Sequence, residues 1–105
     1  MNDVDRIIHE PARLMIVALL AGAKKADFLF LLRETGLTKG NLSNHLAKLE
    51  ECGYVEIEKT FRGKIPMTLA RLTPKGRSAL QSYRKAMNVL LRQRWSGMYL
   101  RHETP

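Results

Sequence analysis

Lys39, Asn41, Asn44 and Lys48 share one side of a helical projection, opposite Leu42, Leu46 and Leu49. The leucines have the i, i+4, i+7 spacing of a buried stripe. The lysines and amides therefore face outward, with Ser43 and His45 on their flanks. Such a set suits the reading of base edges. Asn can bond adenine bidentately, Ser donates or accepts, and Lys reaches guanine or a phosphate. No carboxylate lies on this stripe before Glu50 and Glu51, whereas a merely solvated face usually mixes both signs. Thr38 is placed as the N-cap, so the first helical N–H groups and their partial positive charge are available to an anion.

A second basic group follows. Lys59, Arg62 and Lys64 crowd around Gly63, where a flexible turn could follow a groove or its phosphates. Arg71, Lys75 and Arg77 extend the same charge. The asymmetry runs through the whole chain: residues 1–58 hold seven basic and nine acidic side chains, whereas residues 59–105 hold eleven and one. With a net charge of +8 concentrated in one half, the partner expected is a polyanion, either nucleic acid or a membrane surface. A membrane span is not expected. The longest uncharged apolar run, Leu14 to Ala23, is shorter than the roughly 20 residues required. The acidic start at Asp3 and Asp5 has the wrong charge for a signal peptide.

Catalysis finds little support. His9, His45 and His102 are far apart, and none has a metal-ligand neighbour at i+3 or i+4. Cys52 is the single cysteine, so neither a disulfide nor a structural zinc site is expected, and a reducing cytosol suits it. Its place at the end of an apolar stripe favours an inert thiol over a redox sensor. There is no glycine-rich phosphate loop, hence no cofactor, and no metal is expected.

The 105 residues fit one domain, expected over residues 1–97 with a short tail at 98–105. Pro11 opens a helix through the apolar run Leu14–Leu20, expected to be buried on most sides, and Gly22 closes it. Asp27 caps a second helix over Phe28–Glu34, and Gly36 breaks the chain before the Thr38 cap. The third helix runs to about Cys52, and Gly53 stops it. The period then drops to two. Val55 and Ile57 alternate with Glu56 and Glu58, and a return strand holds Met67 and Leu69, with Pro66 confining the hairpin to an edge or a bulge. Thr73-Pro74 starts a last helix carrying Leu80, Tyr83, Met87, Leu90 and Leu91 on one face, expected to end near Ser96-Gly97. The order is three helices, a hairpin and a long helix.

The run from Thr38 to Val55, with its leucines and terminal Gly53-Tyr54-Val55, resembles the recognition helix and first wing strand of MarR- and ArsR-like regulators. Pro66-Met67-Thr68 and Leu72-Thr73-Pro74-Lys75-Gly76-Arg77 continue the resemblance, which spans about His9 to Leu91. It implies a mainly α winged helix-turn-helix with a small β-hairpin wing and a long C-terminal dimerisation helix. The implied function is non-enzymatic: a cytoplasmic homodimer binding an inverted repeat in double-stranded DNA to regulate transcription. Thr38, Lys39, Asn41, Ser43, Asn44, His45 and Lys48 would form the recognition helix, and Lys59, Arg62, Lys64, Arg71 and Lys75 the wing and its flank. Ile7, Ile8, Leu80, Tyr83, Met87, Leu90, Leu91 and Trp95 are expected at the dimer interface. A small-molecule effector is left open. The rival readings are a nonspecific nucleic-acid-binding or architectural protein, and a protein-interaction module that kept the fold.

Overall fold

The computed structural model describes the backbone of residues 4–103 and the side chains of residues 4–93. Helix α1 (Pro11–Ala21) begins with a proline at its first position, and the Glu10 carboxylate accepts from the Ala12 amide as its cap. Ile16, Val17 and Leu20 are its buried residues. The expectation of burial on most sides needs correction, because Met15 remains 40% exposed and Ala18 is also open to solvent.

Helices α2 (Phe28–Thr35) and α3 (Lys39–Glu51) make the helix-turn-helix. Asp27 caps the first by accepting from the Leu29 amide. Gly36 ends it in the left-handed region, at φ +70°, where a side chain would be strained. The Thr38 hydroxyl accepts from the Asn41 amide at 3.1 Å and starts α3. Leu42, Leu46 and Leu49 are buried as their spacing requires.

The sheet has one strand more than the sequence suggests. Besides β2 (Val55–Arg62) and β3 (Ile65–Leu72), the two residues Ala26–Asp27 form β1, pairing antiparallel with Ala70 and Leu69 of β3. The strand order is β1-β3-β2. Two residues carry no period, so this strand has no sequence signature. The β2–β3 register places Val55 opposite Leu72 and Arg62 opposite Ile65, leaving Gly63-Lys64 as a two-residue turn. Gly63 takes φ +62°, which suits the glycine-first hairpin turn.

Helix α4 (Pro74–Glu103) leaves the sheet through a tight junction. The Thr73 amide donates to the Tyr54 carbonyl at 3.0 Å, and the Thr73 hydroxyl donates to the Gly53 carbonyl at 2.6 Å. A Cβ at Gly76 would stand 2.2 Å from the Tyr54 carbonyl oxygen, so the approach of α4 to the end of α3 requires glycine. The helix continues through Ser96-Gly97 to Glu103 instead of ending there. One glycine costs a helix only about 1 kcal/mol.

The core joins α1, α2, α3, the sheet and α4 through Ile16, Leu20, Leu31, Leu42, Leu49, Val55, Leu72 and Leu80. The segment before α1 adds to it. Asp5 accepts from the Ile7 and Ile8 amides at 2.8 and 3.2 Å and receives the Tyr54 hydroxyl. Burial, then the Asp5 bond, pushes the Tyr54 phenol well above its usual range. His9 Nδ1 lies 2.8 Å from the Tyr83 hydroxyl. Ile8, Leu80 and Tyr83, expected to face a second subunit, are thereby buried within their own chain. Each fully buried side chain of this size contributes about 1.5–3 kcal/mol, so the lone chain gains by folding its N-terminal turn over α4.

Candidate nucleic-acid interface

Helix α3 exposes Asn41, Asn44 and Lys48 on the side away from its buried leucines. Lys39, expected on the same stripe, is exposed roughly half a turn around the helix from them, near Ser43, with Thr38 at the start. The buried leucines fix the rotation of the helix and therefore the direction of these side chains. Among the described residues no carboxylate forms an ion pair with Lys39 or Lys48. The first turn contains no acidic residue, so nothing local opposes the partial positive charge of the helix N-terminus.

His45 departs from the expected set. It is half-buried, and its Nδ1 lies 3.2 Å from Arg13 Nη1 and 3.3 Å from Glu10 Oε2. The imidazole thus points at the start of α1 and braces α3 from behind. Glu10 and Arg13 are invisible to a sequence-based reading of the site, because their partner is more than thirty residues away and no local pattern announces the contact.

The hairpin presents two chemically different faces, because residues opposite one another in the register share a face. Val55, Ile57, Lys59 and Phe61, with their partners Leu72, Ala70, Thr68 and Pro66, lie on the face that begins in the core. Ile57, Lys59 and Thr68 also line a cavity of about 360 Å³ with Phe28, Ser43, Leu46, Ala47 and Glu50. This face therefore looks toward α3. The other carries Glu56, Glu58, Thr60 and Arg62 opposite Arg71, Leu69, Met67 and Ile65.

The basic residues of the hairpin accordingly divide. Arg62 and Lys64 stand exposed at the tip without an ion-pair partner among the described residues, and Lys59 lies exposed on the α3 side. Arg71 is instead held by Glu56 at 2.8 Å, and the bond raises the guanidinium pKa still further. Lys25 similarly bonds Glu58 at 2.8 Å, holding that carboxyl below its usual range. Lys75 places its ammonium 5.8 Å from the centre of the Tyr54 ring, and Arg77 donates to the Ala21 carbonyl at 3.3 Å. Arg71 is thus the member of the expected wing set whose charge is already matched within the fold.

Two apolar side chains at the tip add to the set expected from the sequence. Phe61 is 68% and Ile65 66% exposed. The alternation that buries Val55 carries Phe61 onto the same face, but by then the ribbon has passed beyond the core.

Along α4 the remaining candidates are less buried. Met87 and Leu90 are half-buried, Leu91 is 56% exposed, and Val89 is equally exposed on the other side of the helix. Ile7 is half-buried within the core. The Trp95 side chain lies outside the described residues.

Among the described residues no group of His, Cys, Asp or Glu is arranged to hold a metal, and Cys52 is half-buried with its thiol on the Leu49 carbonyl.

The sequence profile of the winged helix DNA-binding domain matches residues 12–91. An uncharacterized protein of Methanocaldococcus jannaschii is 42% identical over 79 residues, covering 74% of this chain and 85% of that protein. A transcriptional regulator homologue from Pyrococcus horikoshii superposes with a TM-score of 0.80 at 27% identity, covering 85% of this chain and 88% of the other. The transcriptional repressor BigR from Xylella fastidiosa gives a TM-score of 0.65 at 25% identity, covering 80% and 79%.

Proposed function

The chain belongs to the winged helix DNA-binding domain family, and from that premise we propose that it is a sequence-specific transcriptional regulator acting in the cytoplasm by occupying double-stranded DNA. The observation that carries this reading is the outer side of α3: Asn41, Asn44 and Lys48 exposed opposite the buried leucines, with Lys39 and Ser43 exposed on its flank and no acidic residue in its first turn. Amides so held can read base edges in a major groove, while Lys39, Lys48, Arg62 and Lys64 engage phosphates. The function is binding, with no catalytic step.

We further infer a homodimer on an inverted repeat. One reading helix covers only a half-site. Met15 at 40% exposure, and Val89 and Leu91 at 56%, are apolar surface that the chain does not cover itself. Met87 and Leu90 are half-buried on the side of α4 that carries Leu91, whereas Val89 projects from the other side of the helix. A two-fold pair across this surface would set the reading helices roughly 34–36 Å apart.

Selection of duplexes from a random library tests both parts. The expected product is an enriched inverted repeat with half-sites one helical turn apart. Equal affinity for selected and random duplexes would instead leave a nonspecific, charge-driven binder.

A further inference from the structure

The wing does more than supply charge. Beyond the last residue paired with β1, the β2–β3 ribbon continues as two strands alone, Lys59–Arg62 against Ile65–Thr68. Four residues at strand rise give it a reach of about 13 Å. An exposed phenylalanine at such a tip is unfavourable in water and gains nothing from its own fold. Phe61 nevertheless stands 68% exposed, directly opposite the exposed Pro66, on the same side of the ribbon as α3. Lys59 lies on that side also, Arg62 and Lys64 surround the turn, and no carboxylate occurs from Lys59 to Leu72.

We propose that Phe61, backed by Pro66, is an apolar wedge that enters the minor groove beside the major groove occupied by α3, opening one base step and bending the duplex. The reading rests on the DNA-binding function proposed above and adds a specificity mechanism to it. The basic turn grips phosphates on both sides of a minor groove only about 6 Å wide. The flat ring then replaces part of the stacking at one step. Because pyrimidine–purine steps such as TA unstack most readily, the wing would favour them without hydrogen-bonding any base. Ile65, equally exposed, lies on the opposite face of the ribbon with Arg62 and takes no part in the wedge.

The test uses the full chain and a duplex recovered by selection, labelled at both ends for fluorescence energy transfer. Two versions of it carry either TA or AA at the wing step. Wild-type protein is expected to bend the TA duplex and to prefer it. Phe61→Ser should lose the bend and the preference, and bind the TA duplex about tenfold more weakly, with an unchanged salt slope because every phosphate partner remains in place. Ile65→Ser should behave as wild type. Both positions are surface sites, so thermal melting should show both variants folded. A retained bend and step preference in Phe61→Ser, or an equal loss in Ile65→Ser, overturns the wedge while leaving DNA binding intact. A change of oligomeric state in Phe61→Ser also overturns it, by making the tip a contact between two copies. Failure of wild-type protein to prefer the selected duplex overturns the DNA reading itself.

Discussion

His45 Nδ1 lies 3.3 Å from Glu10 Oε2, and that carboxylate oxygen is buried without a hydrogen-bond partner among the described residues. The other oxygen of Glu10 caps α1. Glu10 thus caps the start of α1 while its other oxygen stands against the middle of α3, with Arg13 as the third member at 3.8 Å from Glu10 and 3.2 Å from His45.

Removing the imidazole should therefore weaken the fold. His45→Ala leaves a buried carboxylate oxygen with one neighbour fewer, and a loss of about 1–2 kcal/mol is expected in urea unfolding. The bases preferred by the protein should not change. An altered preference at one base pair with unaltered stability would return His45 to the DNA-reading face.

Asn41→Ala and Asn44→Ala should show the opposite pattern. Both residues are exposed on α3, so unfolding midpoints should scarcely move. Each variant should lose about 1–3 kcal/mol of specific binding and relax preference at one position per half-site. Repeating the duplex selection with both proteins measures this.

The division among the wing cations makes a third expectation. Arg62→Ala with Lys64→Ala should lower the slope of log affinity against log salt by about one for each phosphate that loses its cation. Arg71→Ala should leave the slope close to wild type, because Glu56 already holds that guanidinium. Titrations across a range of salt concentrations, on specific and random duplexes, distinguish the two.

Gly76→Ala should be among the most damaging single-atom additions to the chain. The new methyl would meet the Tyr54 carbonyl oxygen at 2.2 Å and the Leu72 side chain at 2.8 Å. Neither backbone can yield without opening the junction, so the expected cost is about 3 kcal/mol or more. Thermal melting checks it, with alanine at the exposed Ser78 as the control.

If the chain pairs as proposed, Met87→Glu with Leu91→Glu should yield a monomer with much weaker operator binding. Ile8, Leu80 and Tyr83 are poor places for this test, since they are buried within one chain and their loss would unfold it. Sedimentation equilibrium of wild type and variant at micromolar concentration measures the pairing. A wild-type monomer that stays single on DNA would end the proposal.

Much of this architecture is legible in the sequence because its signals are local. Thr38 as a cap, the Leu42–Leu46–Leu49 stripe, Gly53 and the switch to a two-residue period at Val55 each act within a few positions. The outward direction of Asn41, Asn44 and Lys48 follows from the leucines alone, whereas Lys39, which the projection groups with them, lies roughly half a turn away. The features that are not legible depend on contacts distant in the chain. Arg71 looks like a free cation until the strand register sets it against Glu56. His45 looks like a flanking polar residue until α1 packs beside it. Ile8 lies before Pro11 without any period to mark it as buried, and it is held in place by an Asp5 turn and by the Tyr54 and Tyr83 hydroxyls reaching that segment.

The Thr73 bonds to Gly53 and Tyr54 carry a mechanical consequence. They clamp the end of α3 to the beginning of α4, and Gly76 leaves no slack between them. The two helices therefore move as one body about this junction. A displacement of α4 would accordingly be passed on to α3 as a lever passes on a push, with little lost at the joint.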